Sequence, residues 1–362
     1  MLYKIYKINW LFIFLTIILS CIGFIALYSA AGASLEPWAI KQIYRFSFSL
    51  FILFFIALID IQFWYKHCYT FFVLSIILLL GVEIFGYGLG SKRWIRIFGL
   101  NIQPSELVKV TLILALARYY HELKFERIGQ IRNLLLPLIF ILIPVGLILL
   151  QPDLGTSITV LFLGVTILFA AGVRLWKFIL SFILSVISLP IIWSFLLKEY
   201  QQKRILSFLN PESDPLGSGY HLIQSKIALG SGGIYGKGFL NGSQAYLNFL
   251  PEKQTDFIFT MIGEEFGFIG IIFILSLYSL MIIICFYIAF QSFSTFGRIL
   301  SIGVGTNLFL YVILNTAMVV GLLPVVGIPL PLLSYGGTVM ISIMISFGFL
   351  INVKVHQQEK NF

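Results

Sequence analysis

Along the 362 residues, long apolar runs alternate with short polar joints. A membrane-spanning helix needs about 20 predominantly apolar residues. By that measure the runs predict spans near residues 10–31, 45–59, 70–85, 105–120, 134–150, 155–172, 178–197, 258–289, 299–320 and 336–353. The expected fold is an all-α polytopic membrane protein of about ten transmembrane helices, forming a single transmembrane domain over residues 1–362. Pro137, Pro144 and Pro190 interrupt two of the shorter runs, and neighbouring helices can satisfy the backbone groups such prolines free. Lys4 and Lys7 ahead of the first run, with Ala31, Gly32 and Ala33 after it, have the outline of a signal peptide. The apolar run nevertheless exceeds the roughly 7–15 residues of a signal core, and it is read as an uncleaved first span.

Residues 198–257, between the seventh and eighth runs, are the one stretch long enough to be more than a connection. Loops beyond about 15 residues are usually functional or disordered. This one is too rich in aromatic and isolated apolar residues for a disordered linker. It is expected to fold back onto the helix bundle as a large extracytoplasmic loop.

Composition removes other classes. Hydrophobic residues make up 59% of the chain and charged ones 11%, against about 25% charged in a soluble domain. Cys21, Cys68 and Cys285 are too few and too far apart for a disulfide scaffold or a CxxC metal site. His67, His121, His221 and His356 are dispersed, so neither a zinc site nor a Ser-His-Asp arrangement is available. The net charge of +9 comes from cations scattered singly between apolar runs, which argues against nucleic acid as a partner. With the N-terminus placed in the cytoplasm, the 24 Lys and Arg divide evenly between the two sides. The inner loops are short and therefore denser in cations, whereas half of the outer cations sit in residues 198–257; density favours this orientation.

Ionisable groups at membrane depth are costly and mark candidate functional positions. They comprise Glu83, Glu106, Lys109, Asp153, Glu264 and Glu265, of which all but the last two are expected towards the outer face. Glu106 and Lys109 share one face of a helix that opens with Gln103-Pro104-Ser105. They form either a mutually neutralising pair or, with Arg93 and Arg96, a cationic pocket for a phosphate-bearing ligand. Asp153, in Gln151-Pro152-Asp153-Leu154-Gly155-Thr156, has the sequence of an ordinary turn and helix cap, in a joint too short to reach far into water. Gly230–Gly238 lacks the spacing of a nucleotide-binding P-loop, although its backbone N–H groups could approach an anion. Asp256 is placed either to cap the eighth span or to take a proton from a sugar hydroxyl. Residues 324–337, with three prolines and the ending Leu332-Leu333-Ser334-Tyr335-Gly336-Gly337, look like a re-entrant or rim-lining loop.

Taken together, these segments resemble the SEDS (shape, elongation, division) family of bacterial membrane proteins. The matching stretches are Arg93-Trp94, Gln103–Lys109, Gln151–Thr156, Asp214–His221, Gly230–Gly238, Pro251–Phe259 and Pro329–Gly337, collinear over about 250 residues. Asn210–Leu216 is similar to the elongation members rather than the division members. The resemblance implies ten transmembrane helices with the large loop between the seventh and eighth. It also implies polymerisation of lipid II into β-1,4 glycan strands, with release of undecaprenyl diphosphate, in the bacterial cytoplasmic (inner) membrane with both termini cytoplasmic. The implied partners are a class B penicillin-binding transpeptidase and other membrane proteins of the elongation complex. By the same resemblance Asp256 is the catalytic carboxylate, and Arg93, Glu106, Lys109, Asp153, Lys237 and Ser334 are substrate-binding positions. Gln254 departs from the pattern, since many members carry histidine there, which puts a histidine partner for Asp256 in doubt.

An α-linked donor and a β-linked product require one inverting displacement, for which a single carboxylate suffices, because a diphosphate leaves as a stable anion. On this view Asp256 activates the acceptor hydroxyl while Arg93 and Lys109 hold the diphosphate. Glu106 orients Lys109 or helps ligate a divalent cation; magnesium or manganese suits such oxygen ligands, and the sequence assigns no metal site. The rival reading is a lipid II flippase, since polar groups inside a helical bundle also suit a translocation path.

Overall fold

The computed structural model describes residues 2–88, 92–97, 100–197, 199–210, 218–243, 249–250 and 252–357. A short helix α1 (Leu2–Tyr6) precedes α2 (Trp10–Ala30), α3 (Ala39–Leu58) and α4 (Ile61–Phe85). A two-stranded antiparallel hairpin follows, β1 (Ile95–Ile97) and β2 (Leu100–Ile102), with Arg96 opposite Asn101. Then come α5 (Pro104–Glu122), α6 (Ile131–Leu150), α7 (Leu154–Ala171) and α8 (Leu175–Ile191), the last running on as a π-helical turn over Ile192–Leu196. The chain continues through α9 (Glu199–Leu209), α10 (Ser218–Gly232), α11 (Ile258–Gln291), α12 (Thr295–Val320) and α13 (Gly337–Val355).

Eight of these helices are long and apolar enough to cross a membrane: α2, α3, α4, α6, α7, α11, α12 and α13. The two other runs read from the sequence correspond to α5 and α8. The 17 residues of α8 contain none that is buried, so its apolar surface is left to lipid. By contrast α5 is enclosed by α4, α6, α7, α12 and α13, and Leu112–Ala117 are all buried. That enclosure is what lets α5 carry Glu106 and Lys109 at membrane depth.

Local chemistry sets the helix starts. Asn9, Asp60, Asp153 and Ser294 each accept a hydrogen bond from a first-turn N–H of the helix that follows. Pro104 opens α5, where its missing N–H is harmless.

At 34 residues α11 would be about 51 Å long, well beyond a hydrocarbon core of about 30 Å. It breaks at Gly267 (φ 66°, ψ −162°), so Ile258–Phe266 is a separate short helix. Glu264 and Glu265 lie in that short helix, not in the spanning part. Glu264 pairs with Lys237 of the large loop, and Glu265 accepts from Ser29 in the last turn of α2. Both acidic residues therefore belong to the same face as the large loop, which corrects the expectation that they lie away from it.

The large loop folds back as expected: α10 packs on α11 and α12, and α9 on α10. The opposite end of the bundle gathers contacts of Lys4 with His356, Arg118 with Glu122, Lys177 with the Gly129 carbonyl and Lys354 with Gln291.

Candidate active site

At the end of the bundle that bears the large loop, α5, α7, α11 and α13 begin around one cavity of about 340 Å³, at the lower end of the size range of ligand sites. Its wall includes Arg93, Gln103, Asp153, Glu252, Asp256 and Tyr335.

Asp256 lies in the turn before α11. The helix is capped at Phe257 without a side-chain hydrogen bond, so Asp256 is not spent on capping. Its carboxylate is half-buried, and no described residue hydrogen-bonds it. The backbone around it is held from outside the turn. Ser334 Oγ donates to the Thr255 carbonyl (2.6 Å), the Tyr335 N–H to the Gln254 carbonyl (2.8 Å) and Asn315 Nδ2 to the Asp256 carbonyl (2.9 Å). Gln42 in turn donates to the Ser334 carbonyl (3.1 Å). Gly327, at φ 73°, lets the 324–337 segment pass close by, since a Cβ there would sit 3.2 Å from Asp256 Oδ2.

Burial raises the Asp256 carboxyl from the ordinary carboxylate range to about 7, with Glu252 adding to the rise and Arg204 and Arg93 opposing it. The acid thus titrates near neutrality while facing an open cavity.

Asp153 lines the same cavity but its oxygens are engaged. It caps α7 through the Thr156 N–H (3.3 Å) and hydroxyl (2.9 Å), and accepts from Gln103 (3.4 Å). Arg93 lies 3.7 Å from Asp153 and donates through Nη2 to the Pro152 carbonyl (2.6 Å). Tyr87 and Trp94 pair through an isolated antiparallel bridge, and the hairpin is fastened to α13 by Thr338, which accepts from the Gln103 N–H and donates to the Asn101 carbonyl, both at 3.1 Å.

Glu106 and Lys109 do not line this cavity. They form a buried ion pair of 2.8 Å in which Lys109 also meets the Tyr311 hydroxyl, and Tyr311 and Ser342 donate to Glu106. Of the two readings open in the sequence, the neutralising pair is the arrangement seen. Both Glu106 oxygens accept hydrogen bonds, and among the described residues no three His, Cys, Asp or Glu side chains gather as metal ligands. Lys237 also stands apart, paired with Glu264 (2.6 Å) and Ser243 (2.8 Å). Ser334 is buried and acts on the backbone of the Asp256 turn rather than presenting its hydroxyl to the cavity. Of the expected set, the structure therefore brings together Asp256, Arg93 and Asp153. Residues 214–217 of the Asp214–His221 motif, and 211–216 of Asn210–Leu216, lie outside the described residues.

Arg204, Asn315, Gly327 and Glu252 also bear on the site and were not singled out. Asn315 had a usable signal, being an amide inside an apolar run. Arg204 had none, because it is one of several loop cations and only the fold of α9 brings it near Asp256.

A multi-pass helical membrane protein with its ionisable cavity at one end, built around a carboxylate that titrates near neutrality beside guanidinium groups, has the layout of an enzyme working at a membrane face. The sequence matches the FtsW/RodA/SpoVE family model, described as cell cycle protein, over residues 9–359, and the chain belongs to that family, the one its motifs resemble. It is 44% identical over 289 residues to the peptidoglycan glycosyltransferase MrdB of Escherichia coli K12, covering 79% of this chain and 77% of MrdB. It is 36% identical over 356 residues to a probable peptidoglycan glycosyltransferase FtsW of Geobacter sp. strain M18, covering 95% and 96%. Among solved structures it resembles a chain of a peptidoglycan synthase complex that coordinates polymerization and crosslinking, with a TM-score of 0.83, 28% identity and coverage of 98% and 99%. The rod shape determining protein RodA of Thermus thermophilus matches with a TM-score of 0.70, 26% identity and coverage of 97% and 98%.

Proposed function

We infer that this chain is a peptidoglycan glycosyltransferase that polymerises lipid II into β-1,4 glycan strands during cell elongation, maintaining rod shape. Supporting the reading are its family, the relatives named above, and above all one observation: Asp256 presents a free carboxylate, titrating near neutrality, to a cavity that also holds Arg93.

The reaction is one displacement. The acceptor GlcNAc 4-hydroxyl gives its proton to Asp256 while its oxygen bonds to C1 of the donor MurNAc. The bond from C1 to the diphosphate oxygen breaks, the electron pair leaves with undecaprenyl diphosphate, and the α linkage becomes β. Asp256 serves as general base, which requires it ionised, and Arg93 offsets the charge developing on the leaving diphosphate. Asp153 and Gln103 hold Arg93 and the α7 start in place. Lys109, spoken for by Glu106, supports the wall behind the cavity rather than touching the diphosphate.

The cavity end of the bundle is taken as extracytoplasmic, in the cytoplasmic membrane, with both termini inside; the density of cations in the opposite short loops supports this. A class B penicillin-binding transpeptidase is the expected partner, together with other elongation-complex membrane proteins. A flippase would place its polar path near the bilayer midplane, whereas here the cavity opens at one end. Asp256→Asn is expected to abolish glycan polymerisation by purified protein given labelled lipid II and the transpeptidase, with membrane insertion and yield unchanged. Long glycan strands from the variant would refute the assignment.

A further inference from the structure

A second pocket, of about 340 Å³, lies beside the turn that carries Asp256. Glu252, Thr255 and Asp256 of that turn line the catalytic cavity, whereas Lys253 lines this pocket, and the two share no lining residue. Its other walls include Ser29, Ala33, Trp38, Leu240 and Glu265. Ala33 and Leu240 hold φ of 66° and 65°, a left-handed conformation that residues other than glycine keep only where their surroundings impose it, often around ligands. Adjoining the pocket is an apolar groove of about 280 Å³ between α2 and α11. On α2 the groove takes Ile22, Ile25 and Ala26 and the pocket begins at Ser29, three residues or about 4.5 Å further on. On α11, Glu265 of the pocket and Phe266 of the groove are consecutive. Ile25, Phe266 and Phe273 of the groove are exposed on helices that cross the membrane, so the groove faces acyl chains.

Among the described residues, the charged side chains lining the pocket are one of each sign, Glu265 and Lys253. Glu265 is buried, and its carboxylate accepts from the Ser29 hydroxyl and the Leu240 N–H. A carboxylate has about four lone-pair sites, so it retains room for a further donor. Lys253 is half-buried, and loss of water lowers its ammonium below the ordinary lysine range, which favours an anion beside it. The neighbouring acid, Glu264, is paired with Lys237. Trp38 adds an aromatic face of the kind that gathers at membrane interfaces. A diphosphate would bring only negative charge against Glu265, whereas a zwitterion meets both signs, and the groove suits the apolar part of the same molecule.

We propose that pocket and groove together bind one zwitterionic aminophospholipid of the phosphatidylethanolamine type: its ammonium donates to Glu265, its phosphate meets Lys253, and one acyl chain enters the groove between α2 and α11. The site is separate from the reaction cavity and stands independently of the glycosyltransferase reading. Because Lys253 belongs to the turn that bears Asp256, the bound headgroup abuts that turn outside the catalytic cavity.

The test titrates the full chain, purified in detergent, with phosphatidylethanolamine, phosphatidylcholine and phosphatidylglycerol, each labelled on an acyl chain so that the headgroup stays intact. Phosphatidylethanolamine is expected to bind about tenfold more tightly than either of the others, the scale of one charge-assisted hydrogen bond. Choline has no N–H to give to Glu265, and the glycerol headgroup carries no positive charge. Glu265→Gln should bring phosphatidylethanolamine down to the level of phosphatidylcholine, and Lys253→Gln should weaken it about tenfold. Lys41→Gln, exposed on α3 and outside the pocket, should change neither. Glycerophosphoethanolamine should bind at least about tenfold more weakly than the lipid, because it leaves the groove empty. Equal binding of the three lipids by the wild type, tighter binding of phosphatidylglycerol, or wild-type affinity in Lys253→Gln would overturn the site, the last of these even if Glu265→Gln does not fold. Equal affinity for glycerophosphoethanolamine and the lipid would remove the groove from it.

Discussion

Asp153 and Asp256 are the same side chain in one cavity with different employment. Asp153 is tied down by Thr156 and Gln103, whereas Asp256 faces the cavity with its carboxylate free. Both positions were legible as an Asp beside a helix start, and the same capping sequence logic applied to each. What separated them is a shift of one residue: α11 begins at Ile258, so its cap falls on Phe257 and misses Asp256. A consequence follows for pH. A base must be ionised to accept a proton, and burial holds this one at about 7. The rate should therefore climb about tenfold per pH unit below 7 and level off above it. The measurement is kcat/KM for lipid II between pH 5.5 and 8.5; a flat profile over the lower half would exclude Asp256 as the base.

The glycines of 230–238 show how an element can be misjudged from spacing. They invited comparison with an anion-binding loop, yet their partner is protein backbone. Gly236 lies against the Glu265 carbonyl, where a Cβ would come within 2.1 Å, and a Cβ on Gly267 would meet the Gly236 nitrogen at 2.3 Å. Gly233 and Ile234 carbonyls accept from Phe268 and Ile269, so the loop seals the broken turn of α11. No local pattern could reveal this, because the fit is between segments some 30 residues apart. Gly267→Ala should destabilise the protein by on the order of 1–3 kcal/mol for its backbone region alone, with further loss from the clash. Thermal unfolding of the detergent-purified variant checks this; an unchanged midpoint would show that the seam can open freely. The β-hairpin was missed for a related reason: two three-residue strands are too short to show alternation.

For the whole molecule, the apolar runs located the spanning helices to within a few residues at most ends, because bilayer thickness sets run length directly. Contacts between helices carry no such ruler. Glu106 and Lys109 were visible as a pair, but only the convergence of α5, α12 and α13 brings Tyr311 and Ser342 to them and closes the site off. A buried pair of this kind is costly to break on one side, about 3–5 kcal/mol, while neutral replacement of both partners is far milder. Lys109→Met alone should therefore impair folding, and Glu106→Gln with Lys109→Met should restore both yield and polymerisation. A double variant that is folded and inactive would return Lys109 to the substrate.

The fastening of the Asp256 turn has one more implication. Gln42 and Asn315 belong to the spanning helices α3 and α12 and Ser334 to the 324–337 segment, and together they anchor that turn, while Arg204 rides on α9 of the large loop. The base is thus fastened to the spanning helices and the segment between them, and its cationic neighbour to a helix of the large loop. A substitution confined to the loop would therefore reach the arginine first and leave the fastening of the proton acceptor in place.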